Sequence, residues 1–353
     1  MSEDITIRSS DGSPYSKRVE NDVSEHDHRV DAPPSVAVII PVRNEAAHLR
    51  RAVSTVLNQV YPVPFEVCLA VGPSSDGTEA VAAQLAAEEP RVRVVDNPSG
   101  LTPAALNAAI RATTSDIVVR VDGHAALSPG YIRTAVATIQ RTGAVNVGGV
   151  QRPVGATPFE RTVAAVMSSF AGTGGAAFHT GGAAGPVDTV YLGVFQRDAL
   201  ERAGLFDERL IRNQDYELNI RLRAGGGVVW FDPDLWVEYR PRGSFARLAR
   251  QYLEYGRWKR AVLTLHPTSL KARQAAPAVV TALISGGLVV VPLSLWGLLP
   301  AAGYAVAAIT AAAMIDRRSP LRTAAVLATM HLSWGAGFLT ARPARLLGRG
   351  AGR

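Results

Sequence analysis

The residues with the most chemistry in them are Asp122-Gly123-His124, which follow the apolar run DIVVRV. In an extended turn, residues two apart point to the same side. A carboxylate and an imidazole placed so can share one divalent cation, and imidazole suits Mn2+ better than Mg2+. Gly123 between them lets a phosphate come close to the backbone. A carboxylate, a diphosphate and Mg2+ or Mn2+ therefore form one chemically reasonable arrangement. The same three residues also make an ordinary strand-end turn in which the aspartate only caps the next turn, and D-G-H alone fits both readings.

A pair at the end of a strand needs a sheet behind it. Residues 35–273 alternate between short apolar runs (SVAVIIPV, FEVCLAV, RVRVV, DIVVRV) and helical spacings (EAAHLRRAVSTVLNQV, EAVAAQLAAEE, TPAALNAAIRAT). Such alternation predicts an α/β domain with a mostly parallel sheet and helices on both faces. Ligands collect beyond the carboxyl ends of strands in these sheets. Residues 41–45, 71–78, 96–100 and 122–124 are thus the ends that matter. The glycine-rich stretch 171–186 reads as a mobile loop over that edge, and Cys68 as a core residue of its strand.

Charge divides the rest of the 353 residues. Residues 1–34 carry eight acids against four Arg and Lys and few large apolar side chains, which predicts a disordered acidic tail. Residues 240–273 carry nine basic side chains and one acid, Glu254. After them come 42 residues, 274–315, without a charge. About 20 apolar residues cross a bilayer, so 274–315 predicts two short helices turning near Pro300 and Gly303. A second uncharged stretch, 323–340, has marginal length for a third. The membrane region is thus 274–353, with two or three helices. Basic residues before it and at Arg317, Arg318 and Arg322 place the 35–273 domain on the cytoplasmic face. The pI of 9.8 comes mainly from this juxtamembrane block. No stacking or groove-reading motif accompanies it, so nucleic acid is not the expected partner. A single cysteine excludes an internal disulfide framework and a cysteine-cluster metal site.

The order VIIPVRNE, SSDGT, DGH, GLFDERLIRNQDYELN and QYLEYGRWK resembles the family 2 inverting glycosyltransferases of GT-A fold. It is most similar to their membrane-attached, succinoglycan-biosynthesis-type members. The resemblance covers roughly 35–266 and implies a role for each matching residue. Pro41, Arg43, Glu45 and Asp76 would line the nucleotide-sugar pocket. Asp122 and His124 occupy the D-x-D position that holds metal and sugar diphosphate. Asp215 matches the general base, and Gln251, Arg257 and Trp258 resemble the element lining the acceptor and diphosphate side. The chain departs from the usual pattern at Val71-Gly72, where aspartates commonly stand, at His124 for the second aspartate, at Gln214 for the glutamate before the base, and in the wider separation of Gln251 from Arg257-Trp258.

The resemblance implies transfer of a hexose from a nucleotide sugar, a UDP-sugar by expectation, to a lipid-linked or polysaccharide acceptor at the membrane. A base takes the acceptor hydroxyl's proton while positive charge neutralises the departing diphosphate on the opposite face of the sugar. Two alternatives keep part of this picture. A polyprenyl-phosphate, small-molecule or peptide glycosyltransferase changes only the acceptor. A non-catalytic nucleotide-sugar-binding membrane scaffold drops the chemistry, and Val71-Gly72 and His124 are the features that favour it.

Overall fold

The computed structural model describes residues 32–348, so the expected disordered tail falls outside the described residues except for its last few positions. The first elements alternate as β1 (Val36–Val42), α1 (Leu49–Leu57), β2 (Glu66–Val71), α2 (Thr78–Glu88), β3 (Val92–Asp96), α3 (Thr102–Arg111) and β4 (Ile117–Arg120). Runs such as VAVIIPV and EVCLAV have no polar interruption, which suits strands covered on both faces, and nearly every residue in them is buried. β1 pairs in parallel with β2 and β4, and β2 in parallel with β3.

Next come β5 (Ala126–Leu127), α4 (Tyr131–Thr142), β6 (Asn146–Pro153) and α5 (Pro158–Met167). The glycine-rich stretch holds short α6 (Phe170–Thr173), α7 (Ala177–Thr180) and β7 (Gly185–Pro186). β8 (Tyr191–Gln196), α8 (Arg197–Arg202), α9 (Gln214–Ala224) and β9 (Val229–Tyr239) complete the sheet. Its order is β3-β2-β1-β4-β8-β6-β9-β5, with β7 paired to β9. β8 runs antiparallel to both β4 and β6, while β6 and β9 are parallel. Among the described strands only β5, β7 and β8 oppose the common direction, so the sheet is mostly parallel. One face packs Val38, Ile40, Leu49, Val53 and Ile132. The other packs Ile39, Cys68, Leu106, Ile110, Leu200 and Leu218.

The chain then enters helices: α10 (Phe245–Leu265), α11 (Ala272–Val290), α12 (Leu299–Ile315), α13 (Pro320–Thr340) and α14 (Pro343–Gly348). α13, the marginal third segment, packs against α5, α10, α11 and α12. It approaches α10 through glycines: a Cβ on Gly256 would run into the Trp334 carbonyl, and one on Gly337 into the Leu253 carbonyl. α11 and the segment Leu295–Ile315 are long and apolar enough to cross a membrane, and the protein itself covers only 6% and 11% of their apolar windows.

The turn between them corrects the sequence expectation. It lies at 291–298, where Pro292 follows α11 and the Ser294 hydroxyl accepts from the Trp296 N–H. Pro300 instead sits in the first turn of α12, where a missing N–H leaves no intrahelical bond unmade.

Candidate active site

The carboxyl ends of β1, β2 and β4 share one edge of the sheet. Arg120, the last residue of β4, is in register with Ile39 of β1. Its side chain is only 5% exposed, yet it carries a permanent charge. Nη2 donates to Asp122 Oδ1 at 3.0 Å, and Nη1 donates to Asp215 Oδ1. Asp122 and Asp215, 93 positions apart in sequence, therefore meet on one guanidinium.

Asp215 arrives from the other half of the chain. It lies in the first turn of α9, after Asn213 in a left-handed conformation (φ 60°). The Asn213 side-chain amide donates to the Tyr255 carbonyl of α10 at 3.3 Å, which pins the start of α9 to that helix. Gln251, also on α10, donates to the Tyr239 and Tyr255 hydroxyls at 2.9 and 2.8 Å. Burial pushes the Tyr255 phenol up to about 12. Arg212, just before Asn213, adds positive charge near both Asp122 and Tyr255.

On the β1 side, Glu45 Oε1 and His124 Nδ1 are 2.7 Å apart. This hydrogen bond raises the imidazole above its ordinary value, against the effect of burial. Burial also pushes the Asp122 carboxyl up, but the charges of Arg120 and His124 and the Arg120 hydrogen bond outweigh it, so its value falls below the usual one. A Cβ on Gly123 would sit 3.1 Å from Glu45 Cγ, so the glycine makes room for the Glu45–His124 pair.

The other expected residues lie around this centre. Pro41 lies in β1, and its carbonyl would be 3.5 Å from a Cβ at Gly123. Arg43 Nη1 donates to the Gly100 carbonyl at 3.1 Å, joining the loops after β1 and β3. That contact also accounts for Gly72: a Cβ there would lie 2.9 Å from Gly100 Cα, so an aspartate at this position would push the loop away. Asp76 accepts from the Thr78 N–H and hydroxyl and from the Ala46 N–H, so its oxygens tie two loops together. These bonds, the Thr78 hydroxyl foremost, lower its pKa. Arg257 pairs with Glu254 of its own helix at 2.8 Å.

Trp258 departs from expectation. It is 4% exposed and packs with Leu210, Ala261 and Val262, so its ring faces a core rather than an acceptor sugar. The indole is too large and apolar to leave in water at this junction, and Leu210 of the α8–α9 connection covers it. Sequence reading passed over Arg120 altogether. Its signal was present as the one charged residue of the strand Ile117–Arg120, since an arginine in a strand covered on both faces requires acidic partners.

Among the described residues, Asp122 Oδ2 and His124 Nε2 have no protein partner, and no group of three or more His, Cys, Asp or Glu stands together. One oxygen and one nitrogen leave most of a cation's coordination to a bound diphosphate and water. A carboxylate on the far imidazole nitrogen is the usual support for a metal-bound histidine. The donor set thus fits Mn2+ or Mg2+ held jointly with a ligand.

The end of β4 and the first turn of α9 thus bring Asp122 and Asp215 to one guanidinium at the edge of a mostly parallel sheet. The profile described as Glycosyl transferase family 2 matches residues 37–204. The succinoglycan biosynthesis protein ExoA of Rhizobium meliloti is 30% identical over 315 residues, covering 86% of this chain and 94% of that protein. This chain belongs to glycosyl transferase family 2. Glycosyltransferase AglE of Haloferax volcanii is 30% identical, covering 67% of this chain and 77% of its own. A Methanococcus voltae enzyme is 24% identical over 63% of this chain and 71% of its own. It is named dolichyl N-acetyl-alpha-D-glucosaminyl phosphate 3-beta-D-2,3-diacetamido-2,3-dideoxy-beta-D-glucuronosyltransferase. Among solved structures, the mannosyltransferase PcManGT of Pyrobaculum calidifontis, in complex with GDP-Man and Mn2+, shares the fold. Its TM-score is 0.56 at 22% identity, covering 88% of this chain and 87% of that one.

Proposed function

We propose that this protein is a membrane-anchored, inverting glycosyltransferase that moves a hexose from a nucleotide sugar to a lipid-linked or polysaccharide acceptor. The observation that carries this reading is the meeting of Asp122 and Asp215 on the buried Arg120 guanidinium. Asp215 is the general base. It takes the proton of the acceptor hydroxyl as that oxygen attacks the anomeric carbon, and the bond to the nucleoside diphosphate breaks on the opposite face of the sugar. Asp122 and His124 would hold a divalent cation together with the diphosphate, and such an ion would supply charge neutralisation for the leaving group. Glu45 orients His124, while Pro41, Arg43 and Asp76 shape the loops that receive the nucleotide. Gln251 and Arg257 belong to the acceptor and diphosphate side, and Trp258 supports that side by packing.

The acceptor class is argued from the helices and the relatives. Gln251 and Tyr255 of α10 reach the Asp215 side, and α10 also packs on α13, which packs on α11. Two helices therefore separate the cleft from the uncovered apolar surface, where a lipid-linked acceptor would lie. One relative is named for succinoglycan biosynthesis and another for a dolichyl-linked sugar. Basic residues at both charged ends of the hairpin support a cytoplasmic catalytic domain. Incubating the full chain with a panel of UDP- and GDP-hexoses, with water alone and with added polyprenyl-phosphate-linked sugar as acceptor, tests the reading. It predicts release of nucleoside diphosphate from at least one donor, stopped by EDTA and restored by Mn2+ or Mg2+. No release from any donor overturns the transferase reading, and release indifferent to EDTA removes the cation.

A further inference from the structure

Arg120 lies outside the motifs by which the chain resembles its family, yet it touches more of the site's acid than any other described residue. β4 sits between β1 and β8 inside the sheet, so the Arg120 backbone is held on both sides. The guanidinium uses one terminal nitrogen for Asp122 and the other for Asp215, while Nε is buried without a partner. A guanidinium stays charged at any working pH and binds its acceptors in a planar fork. Burying it without counter-charge is strongly unfavourable. Among the described residues, neither the Asp122 nor the Asp215 carboxylate has another side-chain hydrogen-bond partner. Among the described side chains, Arg120 is thus the one that bridges the two carboxylates.

We propose that Arg120 is a positioning residue for sugar transfer, fixing the Asp215 carboxylate relative to Asp122 so that base and leaving-group side face one sugar ring. This rests on the reading of Asp215 as the base. Arg120 need not touch substrate; it acts through the two aspartates. Lysine keeps the charge but is a single point on a shorter reach and cannot hold two carboxylates in one plane. A misplacement of about 1 Å lowers turnover by about 10²-fold.

The test is a cycle of four full-length proteins in detergent: wild type, Arg120→Lys, Asp215→Asn and the double variant. Turnover is measured with whichever of UDP-glucose, UDP-N-acetylglucosamine and GDP-mannose is used fastest. Arg120→Lys is expected to lower kcat by about 10²-fold, to raise the donor KM because Asp122 loses the same partner, and to unfold at the wild-type temperature. In the Asp215→Asn background the same change should lower kcat by no more than about threefold, because the base it positions is gone, while the rise in donor KM through Asp122 should be the same in both backgrounds. Equal losses in both backgrounds overturn the proposal and leave the base assignment standing. Near-normal turnover in Asp215→Asn alone overturns the base assignment and the proposal with it. Should Arg120→Lys not fold, Arg120→Gln in the same cycle carries the identical comparison.

Discussion

At Asp122 two opposed effects act on one carboxyl group. Burial favours the neutral acid, and the neighbouring guanidinium and imidazole favour the anion strongly enough to win. Nearby, the Glu45 carboxylate holds His124 Nδ1, which leaves Nε2 as the nitrogen that could bind a cation. That arrangement makes a prediction for a residue with no direct chemical step. Glu45→Gln should raise the Mn2+ concentration needed for half-maximal activity by about 10- to 100-fold, the usual effect of removing a carboxylate behind a metal-bound histidine. An unchanged Mn2+ dependence would place the ion elsewhere. Asp122, His124 and Glu45 were legible in the sequence because they stand where parallel strands end. Arg120 was passed over and Trp258 was assigned to the acceptor side for one shared reason. Side-chain function at both depends on what a distant segment brings into contact: Asp215 in one case, Leu210 in the other.

At the scale of elements, α10 joins the two parts of the described chain, and one of its residues is unusual. Lys259 is 3% exposed, donates to the Ser269 carbonyl at 3.0 Å and lies 3.9 Å over the Tyr216 ring. Burial pushes its ammonium down to about 7, against roughly 10.4 for a lysine in an unfolded chain. Between those values the unfolded chain holds a proton that the native protein has released. Stability from this residue therefore rises with pH across that window, by at most about 1.4 kcal/mol per pH unit, and is flat below it. Thermal unfolding in detergent should show wild type gaining on Lys259→Met from pH 7 to pH 9. Parallel curves would mean that Lys259 titrates at its ordinary value. The β–α alternation up to β4 was readable because each run is short, apolar and bounded by turn residues. β8 was not, since nothing local in VYLGVFQ reveals that it inserts antiparallel between β4 and β6. The hairpin turn was misplaced because Pro300 has two opposite uses, ending a helix or beginning one.

The whole molecule couples a nucleotide-sugar sheet to an apolar hairpin that the chain leaves uncovered. Leu283 on α11 and Ile309 on α12 are 57% and 44% exposed, so replacing both with lysine disturbs no core. Each charge near the centre of a spanning helix costs about 2.5–3.5 kcal/mol. Wild-type protein should float with phospholipid vesicles and resist carbonate extraction, and Leu283→Lys with Ile309→Lys should be extracted. Equal behaviour of the two proteins would show that this surface does not meet lipid.

In the proposed mechanism the end of β4 carries the cation side and α9 carries the base, and Asp122 and Asp215 meet on Arg120. Steady-state turnover and nucleoside diphosphate binding of Asp215→Asn test it most directly. A positioned base contributes about 10²- to 10⁴-fold, so kcat should fall by that factor while affinity for UDP or GDP stays within about threefold of wild type. Turnover within a few-fold of wild type would contradict the account at its centre.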